Sequence, residues 1–391
     1  MNAGIFLLGL AYVLSQFFRV FLAVLAPVLE RDVGATPDDL AFASGMWFLA
    51  FAAMQIPVGW ALDTVGPRRT AGWLLLAGGC GGAAVFALAT SPAHIDIAMA
   101  LIGVGCSPVL MASYYIFARD HPPAQFAVLA SLMVGLGSVG NLVASYPMAL
   151  AEETIGWRAS LWALGGISAC VALGTLVLVK DPIRIIGETK GSLAELFRLR
   201  ALWFIFPLIG VSYAISIAVR GLWIGPYLAD VFGADTATIG RATLIMGLAM
   251  IAGTLAYGPL DKALRSRKWM IAGGSFAALI AAVVLIIIPS QSAGLSIAMM
   301  CAIGFFGATY PVIMAHGRSF LPPHLIGRGV TMLNLFSIGG VGLLQFLSGN
   351  VFSSAVPAAT ASDPFVAVFT LFAMSLAVGL VIYLFSSDSP N

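Results

Sequence analysis

The stretch YVLSQFFR, residues 12–19, recurs as YAISIAVR at residues 213–220, and each copy lies inside a long apolar run. The tyrosine, the serine and the arginine are all offset by 201 residues between the copies. A second pair of motifs, PVLMAS at residues 108–113 and PVIMAH at residues 311–316, is offset by 203 residues. Motif pairs in the same order predict an internal repeat of about 200 residues, so two similar halves are expected.

The composition is typical of a membrane protein. Of the 391 residues, 60% are hydrophobic and 9% are charged, whereas about a quarter of the residues in soluble domains are charged. The first apolar run follows the N-terminus without a basic segment, and we interpret it as a span and not as a removed signal peptide. The net charge of +2 is not concentrated in a tail, and no nucleic-acid partner is expected.

Apolar runs of about 20 residues, the length that crosses a bilayer as a helix, recur along the chain. They predict an all-α membrane protein with twelve transmembrane helices in two pseudo-symmetric six-helix halves. The halves are residues 1–179 and 202–391, and the charged segment 180–201 is predicted to be a cytoplasmic linker. The expected spans are residues 5–29, 40–62, 70–90, 96–118, 124–148, 159–179, 202–229, 239–260, 269–289, 295–316, 325–349 and 365–385.

The lysines and arginines predict the orientation of these spans. With the N-terminus inside, fourteen of the 19 fall in inside loops and three in outside loops. Cytoplasmic loops of membrane proteins carry the excess of positive charge. We therefore predict a multi-pass protein of the bacterial cytoplasmic (inner) membrane with both termini in the cytoplasm.

The two remaining basic residues, Arg19 and Arg220, are the arginines of the repeated motif and lie in mid-span. A charge there costs at least about 2.5–3.5 kcal/mol. The nearest carboxylates on the same helices, Glu30 and Asp230, are eleven and ten residues away. We therefore predict that a transported anion, bound between the two arginines, is the counter-ion, since arginine binds phosphate and carboxylate in bidentate geometry. The alternative is that the arginines bond backbone carbonyls, polar side chains or water and brace the helices.

Polar and aromatic side chains at helical spacing around the arginines are further candidates for substrate binding. Packing between helices is their alternative role. His316 is a candidate proton or substrate sensor because its ordinary pKa is near 6.5, again with packing as the alternative. The substrate-binding candidates are Tyr12, Gln16, Trp47, Tyr213, Ser216, Trp223, Tyr227 and Asn334.

The sequence lacks the spacings of a metal site, a catalytic nucleophile or a phosphate-binding loop. Its four cysteines lie singly in apolar runs and are interpreted as core residues. Neither a metal nor a cofactor is expected. The expected partners are a small-molecule substrate and membrane lipid, and the protein is expected to act as a monomer. A membrane enzyme is the alternative of another functional class.

The segment GWALDTVGPRRT, residues 59–70, resembles the signature loop of the major facilitator superfamily: a glycine, three residues, an aspartate, then a glycine and two basic residues. The segment GPLDKALRSRK, residues 258–268, is a degenerate copy in the second half. The resemblance implies the two-half transporter fold and a gating role for this loop. The residues that carry it are Gly59, Asp63, Gly66, Arg68 and Arg69, with Asp261 in the second half.

Paired arginines in the first and seventh spans resemble the organophosphate:phosphate antiporters of that superfamily. This resemblance implies a secondary transporter that works by alternating access on a small organic anion, such as a phosphate ester or a carboxylate. The alternative substrate is an aromatic nutrient such as riboflavin, stacked on Trp47, Trp223 or Tyr227.

Overall fold

The computed structural model describes residues 3–120, 123–182, 193–264, 266–322, 326–357 and 359–388, and the regular elements in these ranges are all helices. The chain divides into two compact units, Met1–Gly187 and Glu188–Asn391. Within the described ranges, ten helical segments are long and apolar enough to cross a membrane, and two bent helix pairs make twelve if each pair is one span. The twelve-span architecture predicted from the sequence is therefore confirmed.

The N-terminal unit contains the first six spans among its described residues. Several of them start at a proline, whose fixed φ suits the first turn of a helix. Before the second span, Thr36 and Asp39 cap each other's backbone N–H in a capping box. The spans are the bent pair Ala3–Phe17 and Leu22–Val33, then Pro37–Leu62, Pro67–Ala87, Pro92–Phe117, the bent pair Leu132–Val143 and Tyr146–Ile155, and Trp157–Leu178.

The C-terminal unit contains the other six spans, again counted over described residues. Asp235 caps the eighth span by accepting from the Thr238 backbone N–H at 2.8 Å, and the hydrogen bonds from Thr238 lower the pKa of this carboxyl. Ser292 caps the tenth span through the Leu295 N–H at 3.2 Å. The spans are Arg200–Phe232, Thr236–Tyr257, Arg267–Ile287, Ala293–Ser319, Met332–Ser354 and Asp363–Leu384.

The first span, expected over residues 5–29, is broken into two helices. Its two helices, Ala3–Phe17 and Leu22–Val33, are bent by 54°. In the turn between them, the N–H of Arg19 donates to the Gln16 carbonyl at 3.4 Å and that of Val20 to the Phe17 carbonyl at 3.2 Å. This is the i→i−3 pattern of a tightened turn.

The fifth and seventh spans are also irregular. The fifth, predicted as one helix over 124–148, is bent by 42° between Leu132–Val143 and Tyr146–Ile155. The seventh contains a π-helical segment, Val219–Trp223. The break in the first span and the π-helical segment in the seventh both contain the arginine of the repeated motif, so the regular α-helix is interrupted at this arginine in each unit.

Glycine allows close helix crossings at one corresponding place in each unit. A Cβ on Gly140, in the fifth span, would meet the carbonyl oxygen of Val13 in the first. A Cβ on Gly340, in the eleventh span, would meet the carbonyl oxygen of Gly210 in the seventh. Small residues let backbones approach in this way in membrane proteins.

Candidate functional site

Arg19, in the break of the first span, is the centre of the candidate site in the N-terminal unit. Its side chain is 7% exposed, and its Cζ lies 5.1 Å from the ring centroids of both Trp47 and Phe51 on the second span. The two rings stack on each other with centroids 5.1 Å apart and planes at 18°. Contact with aromatic faces stabilises a desolvated guanidinium by about 2 kcal/mol. Such a contact supplies no oxygen acceptor for the N–H groups of the guanidinium.

Within the described chain, the Arg19 guanidinium makes no hydrogen bond. Its Nε is buried without a partner, and no hydrogen bond or ion pair joins the guanidinium to another residue that the structure describes. Arginine has five N–H donors and keeps its charge in proteins. Among the described residues this site therefore lacks an acceptor, and an anion is the kind of acceptor that would also balance the charge.

Two other polar groups on the second span are buried and unpartnered within the described chain, the Trp47 Nε1 and the Ser44 hydroxyl. Ser44 precedes Trp47 by three residues, so both lie on one helix face. The helix Leu22–Val33, which begins just after Arg19, has no side-chain cap at its N-terminus, and a helix N-terminus carries partial positive charge. This region of the N-terminal unit therefore combines hydrogen-bond donors with positive charge.

Arg220 differs from Arg19 although the two correspond in the repeat. Arg220 is 1% exposed, and its Nε donates to the Thr243 carbonyl at 3.2 Å. Its guanidinium also lies against Gly247, where an added Cβ would be 2.7 Å from Nη2. At least one of its N–H groups thus has a backbone acceptor, which is the bracing role that the sequence left open.

The second and eighth spans explain this difference. Counted from the capping residue of each helix, their positions correspond at an offset of 199 residues. Trp47 and Phe51 then correspond to Met246 and Met250, and Gly247 corresponds to a phenylalanine in the N-terminal unit. Methionine lacks the aromatic face that holds the Arg19 guanidinium. The glycine leaves room for Arg220 to reach the backbone carbonyl on the eighth span.

Three further candidates on the seventh span have hydrogen bonds within the C-terminal unit. The hydroxyl of Ser216 donates to the Ile303 carbonyl at 3.2 Å. The indole N–H of Trp223 donates to the Ser348 hydroxyl at 2.9 Å, and the Tyr227 hydroxyl bonds the Pro289 carbonyl. These side chains are almost fully buried.

The candidates on the seventh span were chosen for α-helical spacing from Tyr213 to Tyr227, and this spacing ends at residue 218. The π-helical segment Val219–Trp223 contains more residues per turn and rotates the side chains that follow it. Trp223 and Tyr227 consequently pack among phenylalanines of the same unit, including Phe365.

The remaining substrate-binding candidates form two pairs. In the N-terminal unit, the Gln16 amide donates to the Tyr12 hydroxyl at 2.5 Å. In the C-terminal unit, the ring of Tyr213 lies 5.0 Å from that of Tyr310, whose hydroxyl donates to Asn334 at 2.8 Å. Tyr213 and Asn334 are half-buried, so they are less enclosed than the residues beyond the π-helical segment.

His316, the candidate sensor, is 0% exposed, and both ring nitrogens have partners. Nε2 lies 3.1 Å from the Ser387 carbonyl oxygen, and Nδ1 lies 2.8 Å from the Tyr383 hydroxyl. Because a carbonyl only accepts, Nε2 carries the proton, and Nδ1 accepts from tyrosine in a neutral ring. Packing thus accounts for its polar atoms, and the sensor role stays a prediction.

The signature loop is held by a carboxylate that the sequence analysis missed. Asp181, just after the sixth span, accepts from the Arg68 backbone N–H at 2.8 Å, and its other oxygen lies 4.0 Å from the Arg68 Nε. Gly66 precedes this helix with φ 103°, a conformation that only glycine adopts without strain. Arg69 is exposed, and Gly59 has open space around it. The side chains of Asp63 and Asp261 lie outside the described part of the structure.

The C-terminal unit contains a matching contact. Asp388, just after the twelfth span, accepts from the Ser266 hydroxyl and from the Lys268 backbone N–H. Lys268 corresponds to Arg68 at an offset of 200 residues. The signal in the sequence was an aspartate three or four residues after the last span of each half.

Replacing Asp181 with alanine is expected to lower the free energy of unfolding by about 1 kcal/mol, because helix N-caps contribute about that much. Thermal unfolding of the purified protein in detergent measures the loss as a lower midpoint. Glu153→Ala, which removes an exposed carboxylate in the same unit, is the matched control. Equal midpoints for the two variants would contradict the capping role of Asp181.

Comparisons with known proteins agree with this architecture. A family model described as Major Facilitator Superfamily matches residues 8–344. The chain is 21% identical over 66% of its length to the probable sulfoacetate transporter of Cupriavidus necator, and 27% identical over 37% of its length to the 4-hydroxybenzoate transporter of Pseudomonas putida. The matched regions span 64% and 32% of those proteins. The solved structure of a D-xylose-proton symporter is similar in fold, with TM-score 0.78, 15% identity and coverage of 99% of this chain and 98% of that chain.

Proposed function

The chain belongs to the Major Facilitator Superfamily, and from this we propose that it is a secondary transporter of small organic carboxylates whose carboxylate group binds Arg19. The observation that carries the proposal is the buried Arg19 guanidinium without a hydrogen-bond or ionic partner among the described residues. An intramembrane charge that no protein group balances is a functional site by default. A bound anion removes this imbalance.

A carboxylate suits the groups around Arg19. Two parallel N–H groups of a guanidinium bind two carboxylate oxygens in one plane. The unpartnered Trp47 indole N–H and Ser44 hydroxyl add donors and no negative charge. The stacked rings of Trp47 and Phe51 contact the guanidinium and offer an apolar surface to the rest of the solute.

The named substrates of the two relatives support a carboxylate over a phosphate ester. Sulfoacetate and 4-hydroxybenzoate are both small organic acids that carry a carboxylate. The backbone acceptor of Arg220 further favours a single free guanidinium, which suits a singly charged group. Alternating access then requires reversible binding and no covalent step.

The cellular location of the protein is part of the same proposal. The many apolar spans describe a multi-pass membrane protein, for which we propose the bacterial cytoplasmic membrane. Cytoplasmic termini and a monomeric state stay predictions of the sequence.

Uptake and thermal-shift assays with matched solutes test the carboxylate proposal. We expect 4-hydroxybenzoate, sulfoacetate or both to stabilise the purified protein and to be taken up by proteoliposomes, whereas the neutral analogue 4-hydroxybenzamide has no effect. The reason is that the amide lacks the charge that Arg19 requires. Glycerol 3-phosphate and riboflavin serve as the phosphate ester and the aromatic nutrient. Binding of the amide, of riboflavin or of the phosphate ester without any acid would reject a carboxylate substrate.

A further inference from the structure

The second helix of the broken first span, Leu22–Val33, is joined near its end to the sixth span. The Trp157 indole N–H donates to the Asp32 carboxylate at 2.9 Å, and a hydrogen bond to a charged acceptor is stronger than a neutral one. Trp157 is the first residue of the sixth span and is 3% exposed. This bond therefore restrains the end of the second helix that lies away from Arg19.

Trp157 is itself held against the end of the third span. The guanidinium carbon of Arg158 lies 4.1 Å from the Trp157 ring centroid. The Arg158 Nη1 donates to the carbonyls of Ala87 and Ala89 at 3.0 and 2.8 Å, and the last carbonyls of a helix have no partner within that helix. The Trp157 ring also packs edge-on against Phe86 of the third span, with centroids 6.1 Å apart. The indole N–H thus comes from a side chain that its own surroundings hold in place.

The same aromatic contacts continue to the other end of the second helix, next to Arg19. The ring of Phe86 lies 5.4 Å from that of Phe21, which immediately precedes the second helix. Phe21 stacks on Phe17, the last residue of the first helix, with centroids 5.8 Å apart. The second helix is therefore held at both ends, by a hydrogen bond at Asp32 and by ring contacts at Phe21.

Arg19 depends on the backbone of the break for its position. Within the described chain its guanidinium makes no hydrogen bond, so no polar contact with those residues fixes the side chain. Arg19 lies between the two helices, and the angle at which they meet determines where its side chain begins. Arg220 differs, because its own hydrogen bond to the Thr243 carbonyl restrains it directly.

The two halves also differ at the position of Asp32. The helices Leu22–Val33 and Ile224–Phe232 both end at a glycine in the left-handed conformation, Gly34 and Gly233. Counted from these glycines, Asp32 corresponds to Val231, whose side chain has no acceptor. The carboxylate that restrains the second helix thus occurs in the unit whose arginine lacks a hydrogen bond of its own.

We infer that Asp32 and Trp157 are positioning residues for Arg19, and that their hydrogen bond fixes the second helix of the first span at the angle that presents the guanidinium to the carboxylate of the solute. This role rests on the proposed function. Neither residue contacts the guanidinium or the solute, and both act through the break. Without the bond, Arg19 is in the binding position for a smaller fraction of the time, and the apparent affinity falls by that fraction.

Binding of 4-hydroxybenzoate and sulfoacetate to full-length Asp32 variants tests this role. Asp32→Leu removes the acceptor and is expected to weaken the affinity about five- to tenfold, the effect of one lost hydrogen bond on the competent fraction. Asp32→Asn retains an acceptor oxygen for the indole N–H and is expected to restore most of the affinity. Arg31→Gln is the matched control. It removes the exposed ion pair with Asp32 at 2.8 Å, leaves the bond to Trp157, and is expected to bind like the wild type.

A second control separates positioning from a general loss of stability. Ser292→Ala removes the cap of the tenth span in the other unit, and it is expected to lower the unfolding midpoint without weakening the affinity. Trp157→Phe removes the indole N–H and keeps a ring beside Phe86. This variant replaces Asp32→Leu if the latter does not fold, with the same expected loss of affinity.

Hydrogen exchange locates the effect without any solute. The N–H groups of Arg19 and Val20 donate to carbonyls inside the break, so their exchange reports its opening. In Asp32→Leu we expect the segment 18–21 to exchange about five- to tenfold faster than in the wild type. The first helix, Ala3–Phe17, is expected to keep its wild-type rates, because it packs on the fifth span through Gly140.

The outcomes distinguish this role from the carboxylate proposal. Wild-type affinity in Asp32→Leu, wild-type exchange at residues 18–21, or no recovery in Asp32→Asn would overturn the positioning role and leave the carboxylate proposal intact. An equal loss of affinity in Ser292→Ala would also overturn it, because lower stability alone would then explain the effect. If the wild type binds neither acid, the carboxylate proposal is wrong, and hydrogen exchange still decides whether Asp32 restrains the break.

Discussion

Replacing Arg19 with methionine is expected to weaken carboxylate binding by at least about 30-fold. Truncating one partner of a buried, hydrogen-bonded charge pair costs about 2–5 kcal/mol, and each 1.4 kcal/mol is a factor of ten in affinity. Isothermal titration of the purified variant with the acid that binds the wild type best measures the change. A dissociation constant equal to that of the wild type would move the carboxylate site away from Arg19.

The same variant is expected to keep or raise the unfolding midpoint. The Arg19 guanidinium has no hydrogen bond to lose within the described chain, and methionine keeps part of the packing against Trp47 and Phe51. Arg220→Met is the matched control, because it removes the hydrogen bond that the Thr243 carbonyl on the eighth span accepts from Arg220. We therefore expect Arg220→Met to unfold at a lower temperature than Arg19→Met. The reverse order would contradict the different surroundings of the two arginines.

Among the substitutions proposed for this protein, Gly340→Ala is expected to cause the largest decrease in the free energy of unfolding. The new Cβ would meet the carbonyl oxygen of Gly210 and lie 2.7 Å from its carbonyl carbon and 2.9 Å from its Cα. These are backbone atoms of the seventh span, which do not move aside as a flexible side chain does. Overpacking typically costs about 1–3 kcal/mol, and we expect the upper end here because the two spans must separate.

The adjacent glycine provides the control for this prediction. Gly339 has nothing within 4 Å of its added Cβ, and Gly339→Ala is expected to unfold like the wild type or slightly above it, since alanine favours the helix. The measurements are the yield of monodisperse protein after size-exclusion chromatography and the unfolding midpoint. Similar behaviour of the two alanine variants would show that the crossing at Gly340 tolerates a side chain.

The number of spans was predictable because a membrane imposes one length on every apolar run. The break in the first span was not. Residues 18–21, where it occurs, read FRVF and contain neither glycine nor proline, the usual causes of a kink. Pro27 lies further on, inside the helix Leu22–Val33. The bend therefore depends on packing with other spans, which a local pattern does not report.

The candidate site was predictable in part. A charge in mid-span identified Arg19, and the spacing of Ser44, Trp47 and Phe51 on one helix face offered a signal that the sequence analysis used only for Trp47. The difference between Arg19 and Arg220 was not evident, because it depends on a backbone carbonyl of the eighth span that comes within reach only in the folded unit. Asp181 was missed for the same reason, as its hydrogen bond to Arg68 joins residues 113 positions apart.

The contacts of Asp181 and Asp388 have a consequence for how such a chain tolerates being divided. Each aspartate follows the last span of its half and accepts a hydrogen bond from the first turn of the third span of that half. The end of the last span is thus joined to the third span within each half. The covalent connection between the halves, from residue 182 to residue 193, lies between these two contacts in the sequence. Dividing the gene within that connection would yield two polypeptides, each of which retains the hydrogen bonds of its own aspartate.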